Sequence, residues 1–408
     1  MTAFRLAWRN LRRNKRRNIL TGSALTVGLI VLILALGVLD GIDSQSIDNL
    51  IYYDLAHVKG FADGYLDQDF PDLEYTIQRA DSLLTVVKNL SGISAATERL
   101  EITGMLILGS EEVFIRIIGV DPAQDRDVFR TLEAVRSGRT ISSDEPVALI
   151  GDRLAADLGL NVGDVITLLV RSAPGALNPK MLPIAGIIST GHPAVDRMTV
   201  YVPLALARDM TLLPEGATEI AIMASKLAFA KRLMGKLSQI IPCIEWRSWQ
   251  TLADDFIQLA RMKRTGNGIM IGIIILVAAI GIGNTMIMSI HERTREIGAL
   301  RALGFNSGLI WRIFILEGFL IGLIAGIIAV IIGVAIVAYL GQKGISLALY
   351  GDMDIGYPVR DAIYPMVNVA SVAASFIFGL VISVLASWGA ARRAARGQIV
   401  RALREGML

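Results

Sequence analysis

The sequence predicts an α-helical membrane protein of four spans, with a large α+β extracytoplasmic domain inserted between the first and the second. Three observations carry this. Of 408 residues, 53% are hydrophobic and the mean hydropathy is +0.54, too apolar for an ordinary soluble enzyme. Four apolar runs are each long enough to cross a ~30 Å hydrocarbon core as a helix rising ~1.5 Å per residue. Charge is unevenly distributed. Seven basic residues and no acidic one precede Ile19, whereas residues 41–260 hold 29 acidic and 19 basic residues.

In chain order, residues 1–18 form a basic segment (Arg5, Arg9, Arg12, Arg13, Lys15, Arg16, Arg17) that the positive-inside rule places in the cytoplasm. Residues 19–39 form span 1. Their apolar run is too long for a signal-peptide core and no small-x-small cleavage site follows, so this is an uncleaved signal anchor. Residues 40–265 form the outer domain, large enough for its own core. Leu73–Asn89 reads as a helix, Val113–Gly119 as a strand, Asp152–Leu158 as a short helix, and Val165–Arg171, Leu182–Ile188 and Met198–Val202 as strands. Glu219–Met223, Lys226–Ile240 and Cys243–Trp246 read as strand, helix and strand, and Trp249–Arg264 as a helical stalk. The alternation fits a βαβ-rich part with an insertion.

Residues 266–290 form span 2 and residues 291–309 a charged cytoplasmic turn. Within it Ile297, Leu300 and Leu303 share one helix face, with Glu292, Arg293, Arg295, Glu296 and Arg301 around them. Periodicity alone leaves two roles open, a solvated connector or a docking helix. Gly304 is a stop signal, and Asn306 or Ser307 an N-cap. Residues 310–340 form span 3, 341–364 an outer loop with Asp352, Asp354 and Asp361, 365–388 span 4, and 389–408 a tail with Arg392, Arg393 and Arg396 on the cytoplasmic side.

Small residues recur every fourth position in two spans: Gly318, Gly322 and Gly326 in span 3, and Ser371, Ser375, Gly379, Ser383 and Ser387 in span 4. Such stripes let helix backbones approach closely in lipid, either within this chain or against another subunit. Glu317 is an ionisable group at membrane depth. It either bonds a neighbouring helix or serves a proton or substrate path; Arg312 is a candidate partner, although i, i+5 is poor helix spacing.

Signatures of catalysis are missing. There is no G-x-x-x-x-G-K-[ST] loop, no G-x-S-x-G elbow and no H-E-x-x-H, since His291-Glu292 runs on into Arg293-Thr294-Arg295. His57, His192 and His291 are scattered, the single Cys243 excludes cysteine metal sites, and Asp121, Asp125 and Asp127 read as a solvated face. A net charge of +3 leaves no footprint for nucleic acid. The chain is predicted to be non-catalytic, with no metal or cofactor of its own.

Several stretches together resemble the FtsX-like permeases of ABC transporters, the family that includes MacB-type exporters and lipoprotein-releasing permeases. They are the basic entry Ala7-Trp8-Arg9-Asn10-Leu11-Arg12-Arg13-Asn14-Lys15-Arg16, the stretch from Glu292 to Gly304, Glu317, and Ala391-Arg392-Arg393-Ala394-Ala395 with Ala402-Leu403-Arg404. Within the outer domain, Ile118-Gly119-Val120-Asp121-Pro122, Leu154-Ala155-Ala156-Asp157-Leu158-Gly159 and Val162-Gly163-Asp164 are most similar to the lipoprotein-releasing (LolC/LolE-type) branch. Two departures stand out. Ile399 occupies a position where the family commonly has proline, and the loop Ser172–Met181 is shorter than the hook with which some relatives engage a periplasmic carrier.

The resemblance implies a permease subunit in the bacterial inner membrane, paired with an identical or homologous permease chain. A cytoplasmic ABC ATPase dimer would bind ATP and Mg and dock on Glu292–Leu303 as the coupling helix. It implies a mechanical stroke carried to the outer domain, which handles lipoprotein cargo or another amphiphile at the membrane face, with a periplasmic carrier or adaptor as a further partner. MacB-like export of a peptide or small molecule, and FtsX-like signalling without transport, remain as alternatives. The topology has a direct test. In a Cys243→Ser background, which removes the one native thiol of the outer domain, a cysteine introduced by Thr294→Cys is expected to resist an impermeant thiol reagent applied from outside and to react once the membrane is opened; labelling of that protein in intact cells would overturn the orientation.

Overall fold

The computed structural model describes residues 2–13, 15–68, 73–292, 306–346 and 362–396, and the chain divides into two compact units. The first comprises residues 1–42, 261–345 and 363–408, and the second residues 43–260 with 346–362.

The first unit is helical. Helix α1 covers Thr2–Arg13 and α2 covers Lys15–Leu50. Among the described residues, three helical segments are long and apolar enough to cross a membrane: Asn18–Leu55, Ser307–Lys343 and Val369–Gly389. The predicted span 2 falls in a long helix, Asp254–Glu292, most of whose apolar side chains lie outside the described residues. Span 3 is the helix Ser307–Lys343. Asn306 is its N-cap, its Oδ1 accepting from the Leu309 amide at 2.8 Å. Span 4 starts later than the sequence predicts. Its helix is Val369–Arg396, capped by Asn368, whose Oδ1 accepts from the Ala370 amide. The residues from Pro365 to Asn368 are not helical, and the Met366 amide donates instead to the Gly37 carbonyl of α2.

The small-residue stripes face each other. A Cβ added at Gly318 would sit 2.0 Å from Ser387 Oγ, and one at Gly322 2.8 Å from Ser383 Cβ, so only glycine admits the neighbouring helix. Ser383 Oγ donates to the Gly318 carbonyl at 2.7 Å. On another face of span 4, a Cβ at Gly379 would meet Leu29 of α2 at 2.5 Å. Leu25, Leu29, Leu32, Ala325 and Ala329 fill the space between α2 and span 3. The stripes are therefore used in packing within this chain.

The second unit is built on a ten-stranded mixed sheet of β1 (Val58–Ala62), β2 (Ile93–Leu108), β3 (Glu111–Val120), β4 (Val135–Gly138), β5 (Ala148–Gly151), β6 (Val165–Arg171), β7 (Leu177–Ile188), β8 (Thr199–Pro203), β9 (Glu219–Ala224) and β10 (Ile244–Ser248). The order β10-β1-β9-β2 is antiparallel throughout. With helix α3 (Ala80–Lys88) between β1 and β2, and the helix Ala230–Ile240 between β9 and β10, it forms a split βαβ layer. Leu84, Val87, Leu233 and Leu237 pack on Ile220, Ile222 and Trp246 there. The residues inserted between β2 and β9 form the rest. β2 pairs with β3, β3 with β8, β8 with β5, β5 with β7, β7 with β6, and β6 returns to β2, closing a six-stranded ring. Its interior holds Leu106, Ile117, Ile150, Leu168, Leu182 and Val200.

Several sequence expectations shift. The helix read over Leu73–Asn89 begins only at Ala80, because Ile77 exchanges backbone hydrogen bonds with Ala217 and Arg79 turns through φ +54°. The stalk read as one helix is broken at Ala253, between Trp249–Leu252 and the helix from Asp254. The loop Ser172–Met181 is shorter still, since Leu177 to Met181 belong to β7. Strands β1, β2 and β5 were not legible. They are buried on both faces, or buried over long stretches, and so lack a clean alternation.

Gly318→Leu is expected to destabilise the membrane unit by more than the about 1–3 kcal/mol of ordinary overpacking, because the clash is with a short, bonded serine rather than a flexible chain end. Thermal unfolding in detergent checks this, with Gly28→Leu as control, where an added Cβ meets nothing within 4 Å. Equal melting of the two variants would refute the packing.

Candidate functional site

In the membrane unit, α1 presents Ala3, Leu6, Ala7 and Leu11 to Ile313, Leu316 and Leu320 of span 3. Asn10 interrupts that apolar stripe, and its Nδ2 donates to Glu317 Oε1 at 2.7 Å. Glu317 is 3% exposed, and Arg312, the partner considered from sequence, is exposed. Asn18 Nδ2 donates to the Leu11 carbonyl, tying the first turn of α2 back to α1. The helix ends on the N-terminal side are thus joined by side-chain amides. The signal for Asn10 was available: a polar residue three or four positions from apolar ones on the same helical face. At the other end of α2, Ser371 Oγ donates to Asp40 Oδ2.

Of the residues singled out in sequence, Glu317, Gly318, Gly322, Gly326, Ser375, Gly379 and Ser383 lie in this packed bundle, where Ser375 Oγ donates to the Ser371 carbonyl. Glu292 ends the long helix from Asp254, with its side chain outside the described residues. Arg293, Arg295, Glu296, Ile297, Leu300, Arg301 and Leu303 also lie outside the described residues, so the coupling-helix reading stays an expectation.

In the outer unit, entry and exit of the chain are neighbours. β1 pairs antiparallel with β10, Val58 opposite Ser248, and the Trp249 amide donates to the His57 carbonyl at 3.1 Å. A force applied at either connection is therefore shared by one pair of hydrogen-bonded strands. Beneath this sheet lies a set of buried charges. Arg99 makes a bidentate pair with Asp125, Nε–Oδ1 2.7 Å and Nη2–Oδ2 2.9 Å, with its guanidinium 3.4 Å above the Phe129 ring. Lys59 pairs with Glu219, both buried, and the partly exposed Arg116 pairs with Asp54 and Glu101. Asp125, read as solvated from its acidic neighbourhood, is fully buried. Local charge density could not show that its partner is 26 residues away.

A polar cleft of about 690 Å³ opens elsewhere on this unit, lined among others by Asp81, Glu98, Asp121, Gln124 and Arg208. Arg208 Nη2 lies 3.1 Å from Glu98 Oε1 and 3.6 Å from Asp81 Oδ1. Burial, helped by Asp81 alongside, pushes the Glu98 carboxyl up to about 8 against the pull of Arg208. The hydrogen bond from Glu98 holds Asp81 below its ordinary value. Glu98 therefore keeps its proton in the folded chain while an unfolded glutamate, near 4.5, has lost it. The folded state then binds the extra proton, so stability falls as pH rises from about 5 to 8 and levels off above. Glu98→Gln is expected to flatten the slope of melting temperature against pH over that window; parallel curves for the two proteins would contradict the shared proton.

Comparison with known proteins agrees with this architecture. Residues 19–240 match the MacB-like periplasmic core domain, and residues 268–399 match the FtsX-like permease C-terminal model. The chain is similar to the lipoprotein-releasing system transmembrane protein LolC of Neisseria meningitidis, 24% identical over 426 residues covering 98% of each chain. It is 25% identical to LolC of Xylella fastidiosa strain 9a5c over 93% of this chain and 92% of that one. It is 24% identical to LolE of Haemophilus influenzae over 79% and 81%. The apolar helices and the matched core domain make this a membrane protein with a periplasmic domain. The chain belongs to the FtsX-like permease family of ABC transporters, with a MacB-like periplasmic core domain.

Proposed function

We propose that this permease couples ATP hydrolysis by a separate cytoplasmic ATPase to the release of lipoproteins, or of another amphiphile, at the outer face of the cytoplasmic membrane. The observation that carries this is the match, end to end, to proteins named for lipoprotein release. In this reading the chain makes four spans with both termini inside, and a second permease chain completes the transporter. ATP and Mg are held by the partner ATPase. Closure of the ATPases moves the spans, and the adjacent strands β1 and β10 receive that motion in the periplasm. A wide polar pore is not needed, which suits a bundle in which the buried Glu317 carboxylate is bonded to Asn10. MacB-like export is the second reading, favoured by the core-domain match. Cargo identified by mass spectrometry of the copurified complex separates the two.

The mechanical link is the helix Glu292–Leu303. A helix this short is marginal in water without a partner, and its three apolar residues suit a groove on another protein. Leu300→Asp is expected to abolish ATPase copurification and cargo-stimulated hydrolysis while the permease stays in the membrane, since a desolvated carboxylate costs several kcal/mol. Arg295→Ala is expected to cost about 1 kcal/mol or less, as a charge at the rim. Full ATPase binding and hydrolysis by the Leu300→Asp protein would remove this link.

A further inference from the structure

The membrane unit holds an apolar groove of about 610 Å³. One wall is α2 from Asn18 to Ile30 and the other is the helix Ser307–Lys343, from Ile321 to Ile332. Helix α1 closes one end with Trp8 and Leu11. Polarity changes along its length. Arg12, Lys15 and Asn18 stand at the α1 end, and from Ile19 onward the walls are almost wholly aliphatic. The twelve helical steps from Asn18 to Ile30 rise about 18 Å, close to one leaflet of a ~30 Å hydrocarbon core.

The charged residues that line the groove, Arg12 and Lys15, are both basic. No acidic residue precedes Asp40 in the sequence, while Arg9, Arg12, Arg13, Lys15 and Arg16 crowd the turn between α1 and α2. Glu317, on the helix of the far wall, is buried and receives Asn10. The mouth is also held in shape. Asn10 fixes α1 to the far wall, Asn18 fixes α2 to α1, and Thr26 Oγ1 donates to the Ala325 carbonyl across the floor.

We propose that this groove is a binding site for one anionic glycerophospholipid of the leaflet on the N-terminal side, distinct from any cargo. The phosphate group meets Arg12 and Lys15, and an acyl chain lies along the aliphatic walls beside Gly22. The basic mouth selects the anionic headgroup, the aliphatic length accepts the chain, and the amide ties of Asn10 and Asn18 keep the two in register. A neutral lipid would fill the walls equally well but leave the two cations at the mouth without a partner. A transmembrane helix of a second copy would bring no matching negative charge from its own residues 1–39.

Gly22 gives a clean test, because a Cβ added there meets nothing within 4 Å, so a large side chain fills the groove without striking the backbone. The purified full-length chain, with whatever subunits copurify, is offered equal amounts of dioleoyl phosphatidylglycerol and dioleoyl phosphatidylcholine and read by native mass spectrometry. Phosphatidylglycerol is expected to be retained roughly tenfold over phosphatidylcholine, and Arg12→Gln with Lys15→Gln to erase that preference. Gly22→Trp is expected to lower retention of both lipids about tenfold or more, and Gly28→Trp, off the groove, to leave it unchanged. A photoreactive residue at Ile324 is expected to crosslink to lipid. Equal retention of the two lipids, a preference that survives Arg12→Gln with Lys15→Gln, or a crosslink from position 324 to a second copy or another protein would overturn the proposal. If Gly22→Trp fails to fold, the charge variant and the crosslink decide it.

Discussion

Strand β2 belongs to two structures at once, and the outer unit depends on that sharing. Along one edge it pairs first with β9, over Ile93–Arg99, and then with β6, over Gly104–Ile107. Its other edge is held by β3 from Arg99 to Leu108. The split βαβ layer and the six-stranded ring are therefore joined by continuous backbone rather than by a flexible linker. Arg99 sits where the edge changes hands, and its bidentate pair with Asp125 is fully buried. Removing one member of such a pair strands the other charge in the interior at a cost of about 3–5 kcal/mol. The pair fixes the register of this junction more than it adds net stability, because both charges first had to leave water.

The membrane unit meets a different constraint. Lipid offers helices no hydrophobic reason to associate, so close packing and internal hydrogen bonds must do it. Glycines of span 3 receive serines of span 4, and the serine hydroxyls donate to backbone carbonyls, Ser383 to Gly318 and Ser387 to Ser383. Glu317, costly in lipid if alone, is matched by Asn10. The bundle so formed is close-packed where its helices meet.

The proposed transmission of motion requires stiffness at both ends of its path. In the outer unit, entry and exit are adjacent strands joined through the hydrogen bonds of a β-ladder. Displacing one without the other would break a run of these bonds together, so the two connections move as a pair. The buried Lys59–Glu219 pair, between β1 and β9, resists sliding of these strands, since it has lost the water that would screen a shifted partner.

Sequence alone determined the membrane class, three of the apolar helices, a cap at Asn306 or Ser307, the α+β nature of the outer domain and the family resemblance. These rest on local signals: hydropathy over about 20 residues, a cap beside its helix, and contiguous motifs. The small-residue stripes were legible, but whether they packed within the chain was not, since Gly318 and Ser383 are 65 residues apart. Asn10 was passed over as part of a basic run, and Asp125 was placed on a solvated face, because their partners lie 307 and 26 residues away. The first half of strand β2 escaped notice because the run from Ala96 to Leu100 is buried on both faces and lacks the alternation that marks a strand. The tertiary structure decided these points for one physical reason: burial and pairing of polar groups depend on which distant segments meet.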